Sequence, residues 1–203
     1  LSLPLACAGT ALLALLIGRP TLRLKGHTLA MATLGLGVII AIVITTEDRL
    51  TGGPDGMSVP PLLLFGWTVA GERTWYWICG ALLLATVWLA FNLIESPRGR
   101  ALRALHGSEV AAQTLGIDSG RAKLQVFVLS ALVAALAGAL MAHYTGFITP
   151  AKASFLHSVE LVIMVVFGGM ASIFGAVVGA AVLTMLPQVL TVLKDYEMMV
   201  FGA

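Results

Sequence analysis

Trp75-Tyr-Trp-Ile-Cys-Gly-Ala-Leu-Leu-Leu-Ala-Thr-Val-Trp-Leu-Ala-Phe-Asn-Leu-Ile94 holds no charged residue, and Glu95-Ser-Pro-Arg-Gly-Arg100 follows it at once. A helix rises about 1.5 Å per residue, so about twenty apolar residues cross the roughly 30 Å hydrocarbon core of a bilayer. Trp75, Tyr76 and Trp77 mark one end of the run, where amphipathic rings suit the headgroup level. Arginines mark the other end, which makes it the cytoplasmic side. The stretch therefore reads as a membrane-spanning helix.

The same pattern recurs on either side. Apolar runs at Leu3–Ile17, Thr28–Thr46, Leu124–Ala142, Val159–Gly168 and Ile173–Leu193 give six candidate spans. Val159–Gly168 is short for a crossing and suggests a broken or re-entrant helix, a break that only surrounding protein or a water-filled path can satisfy. Pro60–Ala70 is also too short to cross; it either dips into the membrane or lies at its surface. Across the chain 59% of residues are apolar and 11% charged, well below the roughly 25% charge of a soluble domain. The expected fold is all-α: a polytopic bundle of transmembrane helices in one domain over 1–203, truncated at both ends.

Charge placement sets the orientation. Arg19, Arg23, Lys25, Arg98, Arg100, Arg103, Arg121 and Lys123 fall on one side of the alternating spans, against Arg49, Arg73, Lys152 and Lys194 on the other. The richer side is cytoplasmic. Loops 18–27 and 95–123 are thus expected inside, and loops 47–74 and 143–158 outside.

Several chemistries are excluded or weakened. No GxxxxGK[ST] run is present to cradle ATP phosphates, and there is no HExxH, GxSxG or cysteine cluster. Cys7 and Cys79 read as small buried hydrophobes. His27, His106, His143 and His157 are spread over loops on both sides, so neither metal nor cofactor is expected. Charges within spans are scarce. Glu160 is the main one, read equally as a substrate-path residue and as a boundary carboxylate. No chain of buried carboxylates and histidines suggests a proton relay, and no paired catalytic groups suggest an enzyme.

Close helix packing in lipid relies on small residues. Gly175 and Gly179 in the last span make a GxxxG seam, and Ala131, Ala135 and Ala139 make another in the fourth. Pro187 is expected to kink the last span. Thr33, Gly35, Gly37, Gly52, Gly53, Asp55 and Gly56 are weak candidates for the substrate path, since glycine lets backbone approach a ligand. A tight turn explains Gly52–Gly56 as well.

The loop 95–123 is the informative segment. Ser96-Pro97 starts a helix, with a capping hydroxyl and a proline at the first helical position. Ser108 caps a second short helix, with Glu109 in its first turn, Ala111, Ala112 and Leu115 along it, and Gly116 as its stop. A plain connector has no need of a defined helix, so this one reads as a docking element.

These residues resemble the permeases of branched-chain amino acid ABC importers. The resemblance lies in Ser96-Pro-Arg-Gly-Arg-Ala-Leu-Arg-Ala104 and Glu109-Val-Ala-Ala-x-x-x-Gly116-Ile. It extends to Leu22-Arg-Leu-Lys-Gly-His-x-Leu-Ala-Met-Ala-Thr-Leu-Gly35, Thr51-Gly-Gly-Pro-Asp-Gly56 and Phe167-Gly-Gly-Met-Ala-Ser-Ile-Phe-Gly-Ala176. Their order is more like the LivM type than its LivH-type partner. The resemblance covers roughly residues 19–190; chains of the family are longer, which makes this one a fragment. It implies a coupling helix at 108–116 that docks into an ATPase subunit, with Arg98, Arg100 and Arg103 in the same loop. The implied partners are a second homologous permease, two cytoplasmic ATP-binding subunits, an external substrate-binding protein and membrane lipid, with no nucleic acid. The implied role is alternating access in a bacterial inner membrane, with hydrolysis left to the partners. A same-family permease for urea, short amides or another small polar solute is the runner-up; a secondary transporter or channel is the rival class.

Overall fold

A computed structural model describes residues 2–22, 27–47, 51–64, 67–69, 71–170 and 172–201. Arg23, Lys25 and Arg49, used above for orientation, lie outside them. The chain divides into two compact units, Leu1–Lys152 and Ala153–Ala203.

The first unit holds helices α1 (Ser2–Thr21), α2 (His27–Thr46), α3 (Glu72–Glu95), α4 (Pro97–Gly107), α5 (Glu109–Thr114) and α6 (Ser119–Thr145). Leu3–Thr21, Glu72–Glu95 and Ser119–Thr145 are long and apolar enough to cross a membrane. The helix starts explain where the spans differ from expectation. Asp118 Oδ1 accepts from Arg121 N at 3.0 Å, so α6 begins at Ser119 and not at Leu124. Arg121 and Lys123, read as loop residues, therefore sit in its first turns. α1 likewise runs past Ile17 to Thr21, with Pro20 in its last turn.

α1 packs along α6. Gly18 permits it: a Cβ there would sit 2.9 Å from Leu124 Cδ1 and 3.0 Å from Phe127 Cδ1, the close approach that small residues give helices in lipid. Among the described residues the buried hydrophobic side chains are Ala14, Leu62, Trp75, Leu105 and Ala112, while rows of Leu, Ile and Val stay exposed. So little core under so much exposed apolar surface fits a lipid environment. Cys79 is exposed on this surface, not buried as expected.

Short strands lie between the helices: β1 (Met57–Ser58), β2 (Leu63–Leu64), β3 (Trp67–Thr68) and β4 (Phe147–Ile148). β1 pairs antiparallel with β4, and β2 with β3. Within the segment 60–70, Leu63–Leu64 and Trp67–Thr68 thus pair as short strands. Gly56 (φ +77°) backs onto β4, where an added Cβ would meet the Ile148 carbonyl. Trp75 turns inward: it is 7% exposed and meets Tyr144 edge-on at 5.6 Å. Tyr76 and Trp77 stay outside.

The second unit is a helical hairpin of α7 (Phe155–Gly168) and α8 (Ile173–Phe201). Ser154 Oγ caps α7 by accepting from His157 N at 3.3 Å, so the helix starts four residues before Val159. Even so, its 14 residues rise only about 21 Å, less than a full crossing. Gly169 (φ +99°) turns the chain, and Ser172 Oγ accepts from Gly175 N at 3.1 Å to open α8. Gly175 and Gly179 face α7, and their counterpart there is Gly168. A Cβ on Gly168 or Gly175 would strike the other's carbonyl oxygen, and one on Gly179 would strike the Met164 carbonyl.

Candidate functional site

The segment 95–123 is built from three capped helices in succession. Ser96 Oγ accepts from Gly99 N at 3.2 Å, with Pro97 opening α4. Ser108 Oγ accepts from Ala111 N at 3.2 Å and opens α5. Asp118 then opens α6. Each such cap stabilises its helix by about 1 kcal/mol. α5 ends at Leu115, whose N still donates to the Ala111 carbonyl at 3.3 Å, and Gly116 takes φ +82°, with Gly116 N donating to Gln113 O at 3.0 Å.

The segment presents its faces unequally. Ala112 is 1% exposed, and it seats α5 against the rest of the segment. Val110 is 71% exposed and Leu115 78%, so one apolar side chain of a six-residue helix and the one at its C-cap point away from the chain. Ala111 is exposed beside them. Glu109 behaves otherwise: Lys123 Nζ donates to its Oε1 at 3.0 Å, and Gln113 Nε2 donates to Ser119 Oγ at 2.9 Å. Gln113 and Ser119 carried no signal as single residues, and Lys123 entered only as a charge that sets the orientation. The matched four-residue spacings 109/113 and 119/123 were the only trace of them in the sequence.

Arg98, Arg100 and Arg103 are exposed on α4. Arg100 Nη1 donates to the Glu95 carbonyl at 3.3 Å. Arg98 and Arg121 stand at the edge of a cavity of about 550 Å³ whose walls include Leu15, Leu93, Leu102 and Leu129. Arg121 pairs with Asp118 at 3.1 Å in a solvated ion pair, which adds at most about 1 kcal/mol.

None of the weak substrate-path candidates lines the cavity of about 550 Å³. Thr33 Oγ1 donates back to the Leu29 carbonyl at 3.1 Å, and nothing stands within 4 Å of where a Cβ on Gly35 or Gly37 would lie. Gly52 (φ +75°), Gly53 (φ +59°) and Gly56 (φ +77°) bracket a single 3-10 turn, Gly53–Asp55. The left-handed conformations of that turn account for its glycines. In the other unit Glu160 Oε2 lies 3.2 Å from His157 Nδ1 and its side chain is 61% exposed. His143 is engaged elsewhere, with Nδ1 2.9 Å from the Pro60 carbonyl. Among the described residues no three His, Cys, Asp or Glu side chains gather.

Comparison with known proteins agrees with this architecture. A family model described as "Branched-chain amino acid transport system / permease component" matches residues 1–203. The "High-affinity branched-chain amino acid transport system permease protein LivM" of Escherichia coli (strain K12) is 33% identical over 224 residues, 98% of this chain and 53% of that protein. The "Autoinducer 2 import system permease protein LsrC" of Escherichia coli O9:H4 (strain HS) is 31% identical over 207 residues, 95% of this chain and 58% of that one. The chain thus spans about half the length of these curated relatives. No solved structure matches. With long apolar helices, a capped hairpin between two of them and a family match from end to end, the chain belongs to the permease components of the branched-chain amino acid transport family, as a multi-pass protein of the bacterial inner membrane.

Proposed function

We propose that this chain is the permease part of an ATP-driven importer and that α5 is the helix on which a cytoplasmic ATPase subunit pushes. One observation carries the reading. A helix of six residues is too short to be stable alone, yet it is capped at Ser108, seated by Ala112, and turns Val110 and Leu115 to solvent. A helix held in place with an apolar face outward is suited to a partner's groove. The eight basic residues on the hairpin side of the membrane support a cytoplasmic position for it. Hydrolysis belongs to the partner, and this chain supplies positioning and gating with a second permease beside it and a binding protein outside.

The test is the pair Val110→Asp with Leu115→Asp in the assembled transporter. Burial of each side chain contributes about 1.5–3 kcal/mol. Losing both should weaken retention of the ATPase subunit by about a hundredfold or more, while the chain still inserts and stays monodisperse in detergent. Retention at the wild-type level would overturn the reading.

The proposed cargo is a small aliphatic amino acid, on the likeness to LivM. The likeness to LsrC, at nearly the same identity, favours a second reading, another small polar solute. Uptake of labelled leucine that isoleucine and valine compete away supports the first; leucine-independent uptake supports the second.

A further inference from the structure

The Glu109 carboxylate is engaged within its own chain. Lys123 Nζ donates to its Oε1 at 3.0 Å, with the two side chains 30% and 29% exposed. Next to it, Gln113 Nε2 donates to Ser119 Oγ at 2.9 Å. Glu109 and Gln113 stand four apart on α5, and Ser119 and Lys123 four apart on α6; such a spacing shares one helix face. The first residue of one pair meets the last of the other, so the two short faces run antiparallel and match in two rungs. Between them Ile117 N donates to the Ala112 carbonyl at 3.1 Å and closes the turn.

We propose that these rungs form a clasp that makes α5 and the cytoplasmic end of α6 one mechanical body, with Lys123 as the positioning residue that holds Glu109. The proposal rests on the docking role of α5 given above. A six-residue helix pushed by a partner would swing or melt unless tied to something rigid, and α6 is a spanning helix of 27 residues. An ion pair within one helix would leave α5 untethered, whereas this pair joins two elements. It also divides the labour on α5: Glu109 faces inward to α6, and Val110 and Leu115 are left to meet the partner.

The test is hydrogen exchange at residues 110–116 of the full-length protein in detergent, read beside retention of the ATPase subunit. Glu109→Lys and Lys123→Glu should each speed exchange about fivefold, and the charge-swapped double variant should recover most of the protection. Lys123→Glu is the cleaner single variant. A negative charge in the early turns of α6 suits its helix dipole, so loosening there reports the contact with Glu109, whose attraction is replaced by repulsion. The swapped protein should also retain the ATPase subunit at the wild-type level. Unchanged exchange in Lys123→Glu, or a double variant as loose as the singles, overturns the clasp. Exchange restored without ATPase retention overturns the role given to Lys123, because Glu109 would then grip the partner directly. If the double variant recovers protection while Val110→Asp with Leu115→Asp still retains the ATPase subunit, the docking reading falls and the clasp stands.

Discussion

Leucine at Gly179 should disrupt the 153–203 hairpin, destabilising it by about 3–5 kcal/mol. The cause is the kind of atom that an added side chain would meet. At Gly179 a Cβ lies against the Met164 carbonyl and within 2.7 Å of Gly168 N and 2.8 Å of Gly168 Cα. A flexible side chain can swing aside, but these are backbone atoms, so α7 and α8 would have to separate. Separation forfeits packing along the whole seam, and in lipid that packing is much of what holds two apolar helices together. Gly80→Ala on α3 is the control, since nothing stands within 4 Å of its Cβ position. It should be neutral or gain up to about 1 kcal/mol of helix propensity. Thermal unfolding of the detergent-solubilised protein, followed by size-exclusion chromatography, separates the two. A Gly179→Leu protein that melts with the wild type would show that the seam is not a tight contact.

The seam also illustrates what a sequence can disclose. Gly175 and Gly179 are visible as a small-residue pair because both sit on one helix. Gly168, the residue they pack against, lies across a turn, and nothing in the spacing names it. The span Trp75–Ile94 was legible because lipid demands an unbroken apolar run. The caps Ser96 and Ser108 were legible because a hydroxyl before a helix has a local signature. The start of α6 was misplaced because Arg121 and Lys123 look like loop residues. Only the Asp118 side chain, three residues before Arg121, shows that the backbone is already helical there. Trp75 was grouped with Tyr76 and Trp77 by composition, whereas helix rotation sends it inward to Tyr144. The pairing of β1 with β4 joins segments far apart in the chain and rests on backbone hydrogen bonds that side-chain patterns do not encode. The capped helices of 95–123 were therefore readable in their local parts, while the Glu109–Lys123 and Gln113–Ser119 contacts needed the fold.

Gly99→Ala should destabilise the corner between α3 and α4 by about 2–4 kcal/mol, the reverse of what the same change does in an open helix. Alanine normally gains about 1 kcal/mol over glycine within a helix. Gly99 lies in the first turn of α4, and it is buried against the end of α3. A Cβ there would run into the carbonyl oxygens of both Leu93 and Ile94, so α4 would have to lift away. That movement pulls Gly99 N from the Ser96 hydroxyl, a cap worth about a further 1 kcal/mol. Gly107→Ala at the far end of the same helix has nothing within 4 Å of its Cβ position, and should be neutral or mildly stabilising. One substitution type at two sites in one helix thus carries opposite signs. On the docking role proposed for α5, a shifted corner would displace that helix, so Gly99→Ala should also reduce retention of the ATPase subunit, and Gly107→Ala should not. Equal thermal stability of the two variants would mean that α4 is free to pivot at Ser96.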